Sequence, residues 1–142
     1  MLIVRKGEEI DYPVIKEFIS KSEASYIEKS LFVMVENMQK KLVGVVGIQT
    51  FSDIGLLRSL VLSRHFPAEK LPILIEKVLL LARESQCQFL YLATNKEKSI
   101  PLFQAFGFSR IETELLPEAL KLSTDLVQFA QKKEVTFMWK TL

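Results

Sequence analysis

The chain has one cysteine, Cys87, so no internal disulfide can form. A reducing compartment suits it. It has one histidine, His65, and no close set of His, Cys, Asp and Glu at metal-ligand spacing, so no metal centre is expected. The start, Met-Leu-Ile-Val-Arg-Lys, lacks the long apolar core of a signal peptide. The most apolar run, Leu71 to Ala82, is interrupted by Pro72, Glu76 and Lys77 and is too short to span a bilayer. A formal charge of +2 and the absence of a basic run interleaved with aromatics argue against nucleic acid as a partner. These absences suit a soluble, cytoplasmic protein that acts on neither membrane nor nucleic acid. What is present is an ordinary globular composition, about half apolar and a quarter charged, over 142 residues. That length is expected to form a single domain, residues 1–142, with a substantial core.

The pattern along the chain alternates between strands and helices. Leu2 to Arg5 predicts a first strand. Asp11 is placed to cap a helix with Pro13 in its first turn, Ile10 and Ile15 are spaced as a hydrophobic staple, and Ile15, Phe18 and Ile19 make one stripe. Tyr26 and Ile27 suggest a second short helix. Leu31–Glu36, Leu42–Phe51 and Ile54–Leu62 predict three strands in an antiparallel meander. Pro72 to Gln86 is a central helix, with Leu71, Leu74, Ile75, Val78, Leu79 and Ala82 on one stripe. Phe89 to Ala93 is a continuous apolar run that suits a buried strand, parallel to the one before the helix through a right-handed crossover. Leu102, Phe103 and Phe106 carry a short helix that Gly107 stops, with Phe108 folded back on it. Arg110–Glu112 predicts a strand, Pro117–Gln131 a helix, and Val135–Trp139 a last strand.

On this layout the chain resembles the GNAT superfamily of N-acetyltransferases over Leu2 to Leu142. The residues that carry the resemblance are Leu57-Arg-Ser-Leu-Val-Leu62, the helix ending Leu81-Ala-Arg-Glu-Ser85, and Leu102-Phe-Gln-Ala-Phe-Gly-Phe108. Glu114-Leu-Leu-Pro-Glu-Ala119 and Val135-Thr-Phe-Met-Trp-Lys140 narrow it towards the branch of arsenic-resistance acetyltransferases and N-acetylglutamate synthases, which acetylate amino-acid-like amines. The resemblance implies an α+β fold: a mixed, mostly antiparallel sheet of six to seven strands with helices on both faces. Two parallel strands would splay apart to admit acetyl-CoA as co-substrate. Backbone groups of Leu60, Val61 and Leu62 would then pair with the pantetheine amides, and the pyrophosphate would sit at the start of the central helix.

The phosphate loop departs from the family pattern. A basic residue and alternating glycines let free amides close on the phosphates. Here the stretch reads Arg64-His-Phe-Pro-Ala-Glu-Lys-Leu-Pro72, with Pro67, Glu69 and Leu71 where glycines would stand. Proline has no amide to donate, and Glu69 adds a negative charge. Arg64, His65 and Lys70 offer compensating charge. The stretch reads either as a weakened CoA loop or as a plain loop into a helix.

Arg58 interrupts an otherwise apolar strand. A partly buried guanidinium needs an anion: either the carboxylate of an amino-acid-like acceptor, or an internal partner such as Glu36, Glu112 or Glu114. Ser59 beside it is a candidate substrate contact. Amine attack on a thioester needs a base, oxyanion donors and in some cases an acid for the thiolate. An amide near Val61 is the donor that the resemblance implies. Glu36 is the candidate base, against a plain strand-end charge. The family's frequent tyrosine acid is replaced by Phe103. Tyr91 and Cys87 read as core, and His65 as surface. Asn95 and Ser99 either cap the short helix or touch the pantetheine. The function expected is acetyl transfer from acetyl-CoA to the amine of a small acceptor. The alternative is a catalytically silent module that binds a ligand through the same cleft, or a partner. The C-terminal strand or an apolar helix face also offers a homodimer surface.

Overall fold

The computed structural model describes residues 1–132 and 134–142. It opens with β1 (Ile3–Lys6) and a 3₁₀ turn, Glu9–Asp11, that runs into α1 (Tyr12–Ser20). Ile15 and Ile19 of α1 are fully buried, as their stripe predicts. Two expectations at its start are corrected. Asp11 makes no side-chain cap for α1; its carboxylate accepts the Glu8 N–H one turn earlier, at 2.8 Å, and binds Arg5 through both oxygens. The 3₁₀ turn also changes the angular offset ahead of α1, so Ile10 is 86% exposed and forms no staple with Ile15. Residues 21–30 are turns and extended chain rather than a second short helix. There the Tyr26 ring stacks on Phe32, with centroids 5.5 Å apart.

The meander follows with the expected bounds: β2 (Leu31–Glu36), β3 (Leu42–Phe51) and β4 (Ile54–Leu62), antiparallel throughout. A 3₁₀ turn, Ala68–Lys70, leads into α2 (Leu71–Glu84), and β5 (Phe89–Thr94) returns parallel to β4. After α3 (Ile100–Ala105), Gly107 takes φ +94° and Phe108 N–H reaches back to the Phe103 carbonyl at 3.0 Å. This is the expected glycine stop, and it brings the two rings edge to face at 5.7 Å. β6 (Ser109–Ile111) comes next. The expected single helix over 117–131 is two, α4 (Glu118–Lys121) and α5 (Thr124–Lys132). Ser123 ends the first and starts the second, its carbonyl taking the Val127 N–H at 3.0 Å. β7 (Thr136–Thr141) closes the chain.

The sheet has seven strands in the order β1-β2-β3-β4-β5-β7-β6, antiparallel except at β4/β5. This is the mixed α+β architecture expected, with helices on both faces. Because side chains alternate along a strand, the two faces divide cleanly. Val33, Val35, Ile48, Leu57, Leu90, Leu92 and Met138 face α2 and α3 in one large cluster. On the opposite face, Phe32, Met34 and Val45 pack against α1, while Leu56, Tyr91 and Phe137 pack against α4 and α5. That face therefore carries two separate clusters, and β4 runs between them. Among the described residues no helix is long and apolar enough to cross a membrane.

Candidate active site: a cleft between parting strands

β4 and β5 pair only at Ile54↔Phe89, Gly55↔Leu90 and Leu56↔Tyr91. Beyond Leu56, β4 runs on to Leu62 paired with β3 alone, while beyond Tyr91, β5 runs on to Thr94 paired with β7. The two strands part at the centre of the sheet, and each presents an open backbone edge to the gap.

A bulge bends β4 where it leaves its neighbour. Val45 faces Val61 and Gly47 faces Arg58, so Val46 alone stands opposite Ser59 and Leu60. Ser59 takes φ +54°, the left-handed conformation of the first residue of such a bulge. An extra residue on one strand raises local twist and bends it, which turns the end of β4 away from β5. Glycine at the partner position lets the two strands approach closely there. A Cβ on Gly47 would stand 3.1 Å from Phe32 Cε1 and 3.2 Å from the Arg58 carbonyl oxygen. The Ser59 hydroxyl donates to the Ser25 carbonyl at 2.6 Å, joining the bulge to the segment between α1 and β2.

The predicted site residues gather unevenly around this gap. Arg58 shares the face of Leu56 and lies at the seam between the two clusters, two residues past the last β4/β5 pair. Its Nη1 donates to Gln49 Oε1 at 3.1 Å. Ser59, Leu60, Val61 and Leu62 follow it along the open edge; Val61 packs on the α1 side and Leu62 on the α2 side. Asn95 and Ser99 stand beyond the end of β5. Neither caps α3: the Ser99 hydroxyl donates to the Lys96 carbonyl at 2.7 Å, and Thr94 Oγ1 takes the Lys96 N–H at 3.1 Å. Thr94 Oγ1 also lies 2.9 Å from the Ser99 hydroxyl, which ties the end of β5 to the turn before α3. Thr94 and Asn95, with Glu97, Glu134, Val135 and Thr136, line a cavity of about 540 Å³ at this end of β5.

Glu36 is held elsewhere. Its carboxylate accepts Arg5 Nε at 2.8 Å, in a network that also holds Asp11. Arg5, not Arg58, is its partner, because the β1/β2 register places Arg5 diagonally across from it. Phe103 is 4% exposed and Tyr91 6%, both core as expected. Burial, and to a lesser degree Asp53, pushes the Tyr91 phenol and the Cys87 thiol up from their ordinary pKa values. A buried thiol held protonated in this way is a poor nucleophile. Among the described residues no group of three or more His, Cys, Asp or Glu is placed to hold a metal ion.

The loop after β4 spends most of its amides on itself. His65 N–H goes to Ser63 Oγ at 3.2 Å and Phe66 N–H to the Ser63 carbonyl at 3.0 Å. Lys70 N–H goes to the Pro67 carbonyl at 2.9 Å and Leu71 N–H to that of Ala68. Phe66 turns inward against the α2 cluster. The helical run begins at Ala68, a turn earlier than Pro72 suggests, with Pro67 in the capping position and Glu69 in its first turn. Arg64, His65 and Lys70 are exposed around it. Sequence reasoning missed Gln49, Gly47 and Ser25. Gly47 alone left a signal, as a glycine inside an apolar strand.

A central sheet split between two parallel strands, with a bulged strand on one side, defines the GNAT acetyltransferase fold, and comparison with solved structures agrees. N-acetylglutamate synthase from Neisseria gonorrhoeae, complexed with coenzyme A and N-acetyl-glutamate, matches 100% of the chain with a TM-score of 0.76 at 18% identity. The chain spans only 35% of that protein's length. Rv2747 from Mycobacterium tuberculosis, in complex with CoA, matches 99% of each chain with a TM-score of 0.73 at 18% identity. A GNAT-family acetyltransferase from Staphylococcus aureus Mu50 matches 100% of this chain and 99% of its own, with a TM-score of 0.72 at 17% identity. No protein-family model matches. YwlB of Bacillus subtilis (strain 168), described as uncharacterized, is 30% identical over 142 aligned positions, covering 96% of this chain and 95% of its own. The chain belongs to the YwlB family.

Proposed function

We propose that the protein transfers an acetyl group from acetyl-CoA to the amine of a small, amino-acid-like acceptor, as a cytoplasmic enzyme. The observation that carries this reading is the parting of β4 and β5 after Leu56 and Tyr91, which leaves strand edges open at the centre of the sheet. In this reading the edge from Leu60 to Leu62 pairs with the amides of the pantetheine arm, and Asn95 and Ser99 meet it from the β5 side. The Ala68 end of the helical run, with Arg64 and Lys70, receives the pyrophosphate. The structural neighbours complexed with CoA support a CoA-type ligand for this fold.

The chemistry follows from those placements. A neutral amine attacks the thioester carbonyl, the carbonyl oxygen gains negative charge, and an amide near Val61 stabilises it. The C–S bond then breaks, and the extra proton on the attacking nitrogen passes to bulk water, which leaves the neutral amide and the CoA thiolate. Phe103 offers no proton, and none is required of it, since a thiol of pKa ~8.5 leaves as the thiolate. Arg58 lies at the seam on the face of α1, α4 and α5, where the guanidinium fork suits a carboxylate held by two parallel hydrogen bonds. Amino-acid-like acceptors carry that carboxylate next to the amine.

Acetyl-CoA titration followed by thermal denaturation, paired with thiol release across a panel of amino acids and simple amines, tests the reading. A ligand well above its dissociation constant adds ~1–3 kcal/mol of apparent stability. No shift at saturating acetyl-CoA would overturn it in favour of a silent ligand-binding module.

A further inference from the structure

We infer that the Ser59 hydroxyl is a positioning strap: by bonding the Ser25 carbonyl it fixes the β4 bulge in the orientation that points the Leu60–Val61 backbone into the cleft. The inference rests on the acyltransferase reading for what that backbone meets, and on geometry for the strap itself. Ser59 is held at φ +54°, a conformation in which glycine is the usual bulge residue and serine is disfavoured. What serine has and glycine lacks is the hydroxyl, and at 2.6 Å from the Ser25 oxygen that hydroxyl is fully used as a donor. The bond joins residues 34 apart in the chain.

The Ser25 carbonyl is a fixed point despite lying in a segment without regular structure. On one side, Ala24 N–H donates to Ser22 Oγ at 3.0 Å, and that hydroxyl donates in turn to the Ile19 carbonyl at the end of α1. On the other side, Tyr26 stacks on Phe32 of β2. Phe32 reaches across to the bare Cα of Gly47, and Gly47 is the strand partner of Arg58. A closed circuit therefore runs from α1 through Ser25 to the bulge and back through β3 and β2. Leu60, the residue after the strap, is 36% exposed at the gap, and the strand direction there is set by the bulge rather than by a neighbour in β5.

Three variants separate the strap from general stability. Ser59→Ala removes the bond. Ser59→Gly removes the bond and the backbone strain together, so an effect common to Ala and Gly belongs to the lost bond and not to the strained backbone. Ser59→Asn keeps a donor and a residue tolerant of left-handed φ. The expected result is acetyl-CoA affinity weakened ~10-fold in Ala and Gly and restored to within ~3-fold in Asn, as for loss of one hydrogen bond's worth of ordering. Binding of adenosine 3′,5′-bisphosphate, which lacks the pantetheine arm, stays as in wild type. Backbone amide exchange at Leu60 and Val61, measured without ligand, accelerates in Ala and Gly but not in Asn. Wild-type affinity for acetyl-CoA in the Ala and Gly variants, or unchanged exchange at those amides, overturns the strap. Failure of the wild-type protein to bind acetyl-CoA overturns the acyltransferase reading instead, and the exchange measurement still judges the strap.

Discussion

Glu69 gives the sharpest test of where the diphosphate sits. It is exposed in the first turn of the helical run that starts at Ala68, beside amides that would otherwise attract an anion. In the free protein its carboxylate complements the positive end of the helix, worth ~0.3–1 kcal/mol. With a pyrophosphate bound at the same end, the carboxylate repels it. At ~6–8 Å in a water-like medium each pair of unit charges costs about 0.5–0.7 kcal/mol, so two phosphate charges cost about 1 kcal/mol. Glu69→Gln should therefore lower the stability of the free protein by a few tenths of a kcal/mol and tighten acetyl-CoA binding ~5-fold. Titration calorimetry at about 20 mM and about 300 mM salt checks both parts, because the gain between exposed charges shrinks as the Debye length falls below their separation. Glu76→Gln is the control. It is exposed on α2, ~10 Å further along the axis, and its removal should change affinity by less than a factor of 2. Equal affinity of wild type and Glu69→Gln at low salt would refute the placement of the pyrophosphate at this helix start.

The parts of the fold legible in the sequence are those fixed by local pattern. The bounds of β2, β3 and β4 follow from β-branched runs ended by polar turns, and the buried stripe of α2 follows from spacing of three and four. Gly107 and Phe108 announce the end of α3, since a left-handed stop with a returning aromatic has few other solutions. Errors fall where a tertiary contact outweighs a local preference. Asp11 looks like a helix cap, but Arg5 lies across a β-strand register that spacing does not reveal. Ser123 divides a helix that Leu120, Leu122, Leu126 and Val127 make look continuous. The site divides in the same way. Arg58 stands out as a charge in an apolar strand, and the parting of β4 from β5 follows from the family resemblance. The Ser59 bulge is invisible in the sequence, because Leu-Arg-Ser-Leu-Val-Leu is equally compatible with a flat strand. Its determinants are a glycine on β3 and a carbonyl 34 residues away.

Replacing Arg58 by alanine should weaken an amino-acid acceptor ~10-fold or more in KM while leaving acetyl-CoA affinity within a factor of 2; steady-state kinetics with varied acceptor reads this, and lowered thermal stability with unchanged KM would assign Arg58 to the framework. Gly47→Ala should destabilise the fold by ~1–3 kcal/mol, read by urea denaturation, because its Cβ would stand 3.1 Å from the Phe32 ring and 3.2 Å from the Arg58 carbonyl oxygen and would push one or both aside at the bulge. The Arg5–Asp11–Glu36 network should give stability a defined acid limb. Arg5 and the Glu8 N–H hold the Asp11 carboxyl at about 2, against an ordinary value of 3.8. A folded-state pKa below the unfolded one contributes stability that is complete above pH ~4 and is lost as pH falls from there through ~2, where protons bind the unfolded chain first. Arg5 is 37% exposed, so solvent screening holds this contribution to roughly 1 kcal/mol. Asp11→Asn keeps an acceptor for Glu8 but cannot titrate; urea midpoints measured from pH 5 to pH 2 should fall less steeply in that variant, and identical slopes would show that the ion pair does not form in solution.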